Sequence, residues 1–161
     1  MRNIKTPRTR LRGLVTEDLT SLIELMQDND IVKHTGWRKP MAEDIIAEKL
    51  EAWKALEGNL GVWGAEHLAD KELVGWFMMR YVEDQAPELG FMIRKKYWQQ
   101  GFASEIAGTL LDYGHHELKL QKILAQCDRT NIASQKTLER CGMSLVREDD
   151  ETCFYESCQN Y

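Results

Sequence analysis

The sequence lacks any hydrophobic run long enough to cross a bilayer. A membrane-spanning helix needs about 20 consecutive apolar residues, and the longest uncharged apolar stretch covers only a few residues around Trp76–Met79. The start of the chain is basic, but no apolar stretch follows its cationic residues Arg2, Lys5, Arg8, Arg10 and Arg12. Because a secretory signal peptide needs such a stretch, the sequence predicts a cytoplasmic protein with no membrane segment.

The sequence also lacks the spacings that hold metal ions or build disulfide frameworks. No Cys-x-x-Cys pair and no paired-histidine pattern occurs among its four cysteines, Cys127, Cys141, Cys153 and Cys158. His115 and His116 are adjacent, so on a helix they point about 100° apart and cannot hold one metal as an i, i+4 pair can. We therefore expect reduced thiols, no metal site and two solvent-facing histidines.

An excess of positive charge is absent too. The formal net charge is −5 at pH 7, which disfavours general nucleic-acid binding, because that function needs a basic surface. The chain has only three prolines and no repeat or low-complexity segment. Its 161 residues, of which 43% are hydrophobic, have the length and composition of one globular domain over residues 1–161.

What the sequence does contain is an ordered series of helical and strand-like hydrophobic patterns. The helical period predicts a helix capped by Thr16 with apolar residues at 19–26, and further helices at Ala42–Leu56, after Gly101 and at Ile132–Arg140. Strand-like runs occur at Arg8–Arg12 (an edge strand), Leu60–Glu66, Glu72–Val82, Glu88–Ile93, Lys122–Cys127, Met143–Val146 and Thr152–Tyr155. This order predicts a mixed α/β fold with about seven strands.

Residues 88–105 contain a pattern that predicts an anion site. A strand leads through a short loop into a helix that opens at the small-residue pair Gly101 and Ala103. The free N–H groups and the positive dipole end of a helix start attract anions, and the cations predicted beside this point are Arg94, Lys95 and Lys96. The common dinucleotide and Walker loops are absent. The loop alone fits a phosphate site or a plain strand-to-helix turn, because short glycine patterns recur by chance.

A second constellation follows the predicted strand Lys122–Cys127. Asn131 is positioned to cap the next helix, and Ser134 lies on the first turn of that helix. Each residue taken alone fits ordinary helix capping. Their arrangement downstream of the first loop is what points to a shared ligand.

With both motifs in place, the sequence resembles the GNAT acetyltransferases, and within them the branch that includes the ribosomal-protein N-terminal acetyltransferases. The resemblance covers nearly the whole chain. The family patterns Arg/Gln-x-x-Gly-x-Gly/Ala and Asn-x-x-Ser…Gly-Phe fall on Trp98–Ala103, on Asn131 and Ser134, and on Gly142-Met143. The departures from these patterns are Trp98, Gln99 and Met143. The resemblance implies that main-chain N–H groups hold the pyrophosphate of the cofactor acetyl-CoA. We therefore expect the departures to tune the affinity for that cofactor without abolishing it.

The resemblance implies a fold, a cofactor and a set of binding residues. The implied fold is a single-domain α/β (α+β) GNAT-like structure with a mixed, splayed central sheet and helices on both faces. The implied acetyl donor is acetyl-CoA, whose pantetheine arm would lie along the strand residues Phe91, Met92 and Ile93. The other implied cofactor-binding residues are Gln99, Gln100, Gly101, Phe102, Ala103, Ser104 and Asn131.

An alkylamine acceptor is mostly protonated at pH 7, so acetyl transfer needs a group that takes its proton. Glu88, at the start of the central strand, is the candidate base, because partial burial there would raise the pKa of its carboxyl. A role as a strand-end anchor is equally open. Rival bases are Glu83, Asp84, His34 and Tyr155.

The thiolate that leaves after transfer needs a proton or a hydrogen bond. The resemblance implies Ser134 as that donor and Asn131 as a partner of a pantetheine amide. Cys127 and Cys141 are weaker candidates for acyl-carrying nucleophiles, because apolar surroundings keep thiols protonated.

Three functions stay open at the level of sequence. The leading hypothesis is acetylation of a protein or peptide N-terminal amine, and the rival is acetylation of a small amine such as a polyamine, an aminoglycoside or an amino-acid derivative. The third is a non-catalytic acetyl-CoA-binding module. We expect acceptor residues in the first two helices, in their connection His34–Lys39 with Trp37 as a lid, and in the loop Glu83–Pro87. Whether the chain forms a homodimer is also open.

Overall fold

The chain folds into a single mixed β-sheet in the computed structural model, which describes residues 2–82 and 85–159. Its strands are β1 (Ile4–Lys5), β2 (Thr9–Gly13), β3 (Gly61–His67), β4 (Leu73–Arg80), β5 (Glu88–Ile93), β6 (Lys122–Asp128), β7 (Ser144–Glu148) and β8 (Thr152–Cys158). Within the described ranges these eight strands lie in the order β1-β2-β3-β4-β5-β6-β8-β7. The pair β5–β6 is parallel, and the other neighbouring pairs are antiparallel.

Helices cover both faces of this sheet. They are α1 (Leu19–Gln27), α2 (Asn29–Val32), α3 (Glu43–Lys54), α4 (Phe102–Asp112) and α5 (Ile132–Arg140). Helices α1–α3 bury apolar residues such as Leu22 and Ile46 against Trp76 of β4. Helices α4 and α5 bury Ile106 and Leu138 against the opposite face. No helix in the described part of the chain is both long and apolar enough to span a membrane. The predicted α/β fold with helices on both faces is confirmed.

The strand and helix count differs from the prediction in its shortest elements. Strand β1 pairs outside β2, with Ile4 opposite Leu11, so the predicted strand Arg8–Arg12 is not an edge strand and the sheet has eight strands. Helix α2 was not predicted either. Strand β1 has two residues and helix α2 has four, which are too few to show a hydrophobic period.

The predicted Thr16 cap is wrong. Thr16 begins a 3₁₀ turn, Thr16–Asp18, that leads into α1. The buried Asp18 carboxylate accepts the Val15 N–H at 2.8 Å and pairs with the Arg12 guanidinium at 2.8 Å. Asp18 at the end of the turn therefore satisfies the Val15 N–H, and Thr16 lies one residue inside the turn instead of capping it.

The prediction of two solvent-facing histidines is wrong for one of them. The chain continues from α4 through a π-helical turn, Tyr113–Glu117, on which His116 is exposed and His115 is buried. The ring nitrogens of His115 lie 2.7 Å from the Leu120 carbonyl oxygen and 2.9 Å from Ser157 Oγ. The angular offset between neighbouring helical residues turns one ring into the core and the other into solvent.

The sheet is splayed between β5 and β6. Strand β5 pairs with β4 along its whole length, from Glu88 to Ile93. Its parallel pairing with β6 stops after two residue pairs, Glu88 with Leu124 and Leu89 with Ala125. The expected splay is therefore present, and it leaves one edge of β5 open from Gly90 onward.

Candidate active site

The gap between β5 and β6 opens into a cleft of about 1070 Å³. Its lining comes from β4 and β5 on one side, from the end of β6 and the start of α5 on the other, and from the start of α4. The predicted site residues that line it are Glu88, Phe91, Met92, Ile93, Gln99, Gly101, Phe102, Ala103, Ser104, Asn131 and Ser134. Gln100 lies outside this lining, because its side chain donates to the Lys96 carbonyl at 2.7 Å.

The open edge of β5 carries backbone groups that point into the cleft. The Pro87 carbonyl accepts the Leu124 N–H of β6 at 2.8 Å. Backbone groups alternate in direction along a strand, so those of Phe91 and Ile93 point the same way as those of Pro87, beyond the last pair with β6. The Ile93 carbonyl accepts the Trp98 Nε1–H at 2.8 Å. The N–H and carbonyl of Phe91 and the N–H of Ile93 therefore face the cleft.

Met92 is placed differently from its neighbours in β5. Two residues further on, the Arg94 N–H donates to the Val74 carbonyl at 2.9 Å, so the backbone groups of Met92 point toward β4. The Met92 side chain is buried in the core beneath α1 and α3.

The start of α4 presents free backbone donors to the same cleft. Gly101 precedes the helix with φ = 80°, a left-handed conformation that favours glycine. The Glu105 N–H bonds back to the Gly101 carbonyl at 3.0 Å. The three preceding N–H groups, of Phe102, Ala103 and Ser104, have no acceptor within the helix, and these residues line the cleft. This is the geometry of an anion site.

The three cations predicted beside this loop are not part of the cleft lining. Arg94, Lys95 and Lys96 are ion-paired with the carboxylates Glu24, Asp28, Asp30 and Glu72. The expectation that these cations lie beside the anion site is wrong. Their side chains pair instead with carboxylates from distant segments of the chain, which no local pattern predicts. Cations that do line the cleft are Lys136 and Arg140 of α5, which sequence reasoning missed although their i, i+4 spacing follows the Asn131 cap.

Glu88 is the first of the two β5 residues that pair with β6, and it lies opposite Arg80 of β4. Its carboxylate accepts hydrogen bonds from Gln126 Nε2 at 3.3 and 3.4 Å. Burial raises the pKa of the Glu88 carboxyl, and the Gln126 hydrogen bond and the charge of Arg80 oppose that rise. A half-buried carboxyl with a raised pKa in a cleft is suited to proton transfer.

The rival bases differ in how they relate to the cleft. The Tyr155 hydroxyl donates to Glu139 Oε1 at 3.4 Å, and burial raises the pKa of Tyr155 to about 12. Tyr155 also lies in the core beneath α4 and outside the cleft lining. His34 lines the cleft. Glu83 and Asp84 lie outside the residues that the structure describes.

Asn131 and Ser134 meet at the start of α5. The Ser134 N–H donates to Asn131 Oδ1 at 3.1 Å, so the predicted Asn131 cap is present. The Ser134 side chain lies near the Cys127 thiol and partly offsets the rise that burial causes in the pKa of that thiol. Both Ser134 and Asn131 line the cleft on the wall that faces β5.

The thiols near the cleft are protonated at neutral pH. Burial raises the pKa of Cys127 to about 11 and that of Cys141 to about 11. The nucleophile in thiol chemistry is the thiolate, so neither group is activated for acyl transfer. Across the described residues, no cluster of three or more histidine, cysteine, aspartate or glutamate side chains is arranged to hold a metal ion.

Another part of the cleft lining, over β4 and level with Met92 of β5, consists of side chains from separate segments. Trp37 follows α2, Trp53 lies on α3 and Trp76 lies on β4, and all three line the cleft. Sequence reasoning found Trp37 and missed the other two. Trp53 and Trp76 lie on a helix face and a strand face whose hydrophobic patterns are typical of core positions.

Comparisons with known proteins agree with this geometry. The family model described as an acetyltransferase (GNAT) domain matches residues 8–144. The FsC-acetyl coenzyme A-N(2)-transacetylase of Aspergillus fumigatus is 27% identical to the chain over 89% of the chain and 65% of its own length. The chain thus spans less than two thirds of that relative.

Solved structures share the fold. The GNAT-family acetyltransferase of Bacillus anthracis superposes with a TM-score of 0.89 at 23% identity, covering 98% of both chains. RimL, a ribosomal L7/L12 alpha-N-protein acetyltransferase solved in complex with coenzyme A, superposes with a TM-score of 0.83 at 14% identity, also over 98% of both chains.

Proposed function

This chain belongs to the GNAT acetyltransferase family, and we propose that it transfers the acetyl group of acetyl-CoA to the primary amine at a protein or peptide N-terminus. One observation carries the proposal. The open edge of β5, the free N–H groups at the start of α4 and the Glu88 carboxyl all face one cleft. The similarity in fold to RimL supports a peptide acceptor.

We assign the two ends of a bound acetyl-CoA to two backbone surfaces. The N–H groups of Phe102, Ala103 and Ser104 bind the pyrophosphate, and Lys136 and Arg140 supply charge nearby. The pantetheine arm pairs with the open backbone groups of Phe91 and Ile93 as an added strand does.

In the proposed reaction Glu88 takes a proton from the acceptor ammonium, directly or through water. The neutral amine then attacks the thioester carbonyl, forming the C–N bond as the C–S bond breaks. Burial raises the pKa of Glu88 and so brings it closer to the pH of the reaction than that of an exposed carboxyl, which favours proton transfer. The half-buried position of Glu88 supports this role over that of a strand-end anchor.

Ser134 supports the leaving thiolate. As negative charge develops on sulfur, the Ser134 hydroxyl donates a hydrogen bond to it, and the proton lost by the attacking nitrogen passes through solvent to the sulfur, which completes coenzyme A. The position of Ser134 on the wall opposite β5 supports this role. The protonated thiols of Cys127 and Cys141 favour direct transfer without an acyl-enzyme.

The test is coenzyme A release, followed with a thiol reagent, over a panel of amines. The panel contains peptides with free N-termini, the same peptides blocked at the N-terminus as matched controls, polyamines, aminoglycosides and amino acids. We expect release with the free peptides and none with the blocked ones. Turnover of small amines alone would assign the rival acceptor class. Acetyl-CoA binding by calorimetry without turnover of any amine would make the chain a non-catalytic binding module.

A further inference from the structure

Three tryptophans form an aromatic cluster in the cleft lining, level with Met92 of β5. The ring centres of Trp53 and Trp76 are 5.3 Å apart and tilted by 47°, and those of Trp37 and Trp76 are 6.5 Å apart and tilted by 40°. These separations are within the range of attractive aromatic pairs. Trp37 is 36% exposed and Trp76 only 7%, so the cluster runs from the mouth of the cleft to its floor. Such a surface binds apolar groups.

The floor of this cluster contains a hydrogen-bond donor without an acceptor. Trp76 Nε1 is buried, and none of the described residues accepts its hydrogen bond. A buried N–H without a partner costs about 1–3 kcal/mol, and Trp N–H groups usually find one when buried. The indole N–H of Trp63, in contrast to that of Trp76, has a partner, since it donates to the Arg2 carbonyl at 3.0 Å. Trp76 is therefore suited to donate to an oxygen of a bound molecule.

The charges around the cluster oppose a polycationic acceptor. Lys49 Nζ lies 5.3 Å from the Trp37 ring centre, so it places a positive charge at the cluster. Among the lining carboxylates that the structure describes, Asp30, Asp128 and Glu151 are ion-paired, which leaves Glu88. A polyamine would meet one unpaired carboxylate and a lysine.

The distance from the cluster to Glu88 sets the size of the acceptor. Trp76 and Arg80 are four residues apart on β4, and Glu88 lies opposite Arg80. At about 3.3 Å per residue, the distance along β4 from Trp76 to Arg80 is roughly 13 Å. The bulky indole rings occupy several ångströms of it. The remaining distance corresponds to two or three residues of extended peptide.

From these observations we infer that the acceptor is a peptide N-terminus with an aromatic or large aliphatic side chain at its second or third residue. This inference rests on the proposed function. The terminal amine lies at Glu88, the apolar side chain contacts Trp37, Trp53 and Trp76, and a peptide oxygen accepts the Trp76 Nε1–H. Lys49 lies beside the peptide backbone or its carboxylate.

The experiment uses amidated tetrapeptides of alanine in which one phenylalanine occupies each position in turn. We expect kcat/KM to be at least tenfold higher with phenylalanine at the second or third position than with the all-alanine peptide, which corresponds to about 1.4 kcal/mol. Free phenylalanine distinguishes an amino acid from a peptide, and spermidine represents the polycations. A flat series, or a higher kcat/KM for spermidine or free phenylalanine than for every peptide, overturns the inference while leaving the acetyltransferase activity in place.

Variants locate the effect at the cluster. Trp76→Phe keeps a ring and removes the N–H, and Trp37→Leu changes an exposed position, which protects the fold. Both should raise KM for the preferred peptide about fivefold and leave the acetyl-CoA Kd unchanged. Trp63→Phe removes an indole N–H outside the cleft and should leave that KM unchanged. If KM is unaltered in both cluster variants, the apolar side chain binds elsewhere and the inference is wrong. If no amine reacts although acetyl-CoA binds, the proposed function fails first.

Discussion

The two ends of the cleft are built from different parts of the chain. At the cofactor end the ligand-facing groups are main-chain atoms, on the edge of β5 and at the start of α4. At the acceptor end they are side chains from α3, β4, β5 and the segment after α2. A backbone surface depends on the fold and tolerates many sequences, whereas a side-chain surface changes with single substitutions. We therefore expect the first end to be shared across the family and the second to select the acceptor.

The largest effect should come from a side chain that acts on the acceptor. Glu88→Gln keeps the shape and the Gln126 contact but cannot accept a proton, so we expect kcat to fall about 100-fold or more. In the wild-type protein the rate should fall as the pH drops through the raised pKa of Glu88, above the ordinary value of 4.5. Rate–pH profiles check both expectations.

The matched control for this change is Glu57→Gln, an exposed glutamate after α3, which should keep wild-type kcat. An unaltered kcat and pH profile in Glu88→Gln would make Glu88 structural. It would return the search for a base to His34, Glu83 and Asp84, or imply that the amine arrives neutral.

At the cofactor end the sensitive position is a backbone one. Gly101→Val adds a side chain at φ = 80°, which strains the helix start and obstructs its free N–H groups. We expect acetyl-CoA binding, measured by calorimetry, to weaken tenfold or more, or by about 1.4 kcal/mol. Gly108→Val is the control, because a Cβ there meets nothing within 4 Å. Equal affinities for acetyl-CoA in the two folded variants would show that this loop does not bind the cofactor.

A smaller effect should separate binding from chemistry at Ser134. Its hydroxyl matters once charge develops on sulfur, so Ser134→Ala should lower kcat about fivefold, or by about 1 kcal/mol, and change the acetyl-CoA Kd little. Ser144→Ala, on the exposed strand β7, serves as the control. A weakened Kd with unchanged kcat would assign Ser134 to cofactor binding instead.

The smallest effect belongs to the thiol on the cleft wall. Because the pKa of Cys127 is about 11, its sulfur is protonated at pH 7 and takes no covalent part in transfer. Cys127→Ala should keep kcat within about twofold. Loss of activity, together with an acetylated wild-type protein seen by mass spectrometry after mixing with acetyl-CoA alone, would point to an acyl-enzyme.

The same division between backbone and side chains explains what the sequence could predict. Strand β5 and helix α5 have the predicted bounds, Glu88–Ile93 and Ile132–Arg140, because their signals are local: an apolar run in one case and the Asn131 cap in the other. The open start of α4 follows in the same way from Gly101.

The rest depends on residues far apart in the chain. The ion-pair partners of Arg94, Lys95 and Lys96 lie at positions 24–30 and 72, and no local pattern reveals them. Trp53 and Trp76 meet only when α3 packs on β4, so neither shows a signal for the cleft in its own segment.

The short join between β5 and β6 also bears on how the molecule assembles. Strands β1–β5 form one continuous antiparallel block and β6–β8 another, and two residue pairs are their whole ladder. Neighbouring strands inside the two blocks have longer ladders, with six residue pairs between β3 and β4 and seven between β6 and β8, so the seam has few hydrogen bonds by comparison. We therefore expect the pairing of β5 with β6 to form late in folding. The amide hydrogens of Leu89 and Leu124 should exchange before those in the middle of either block.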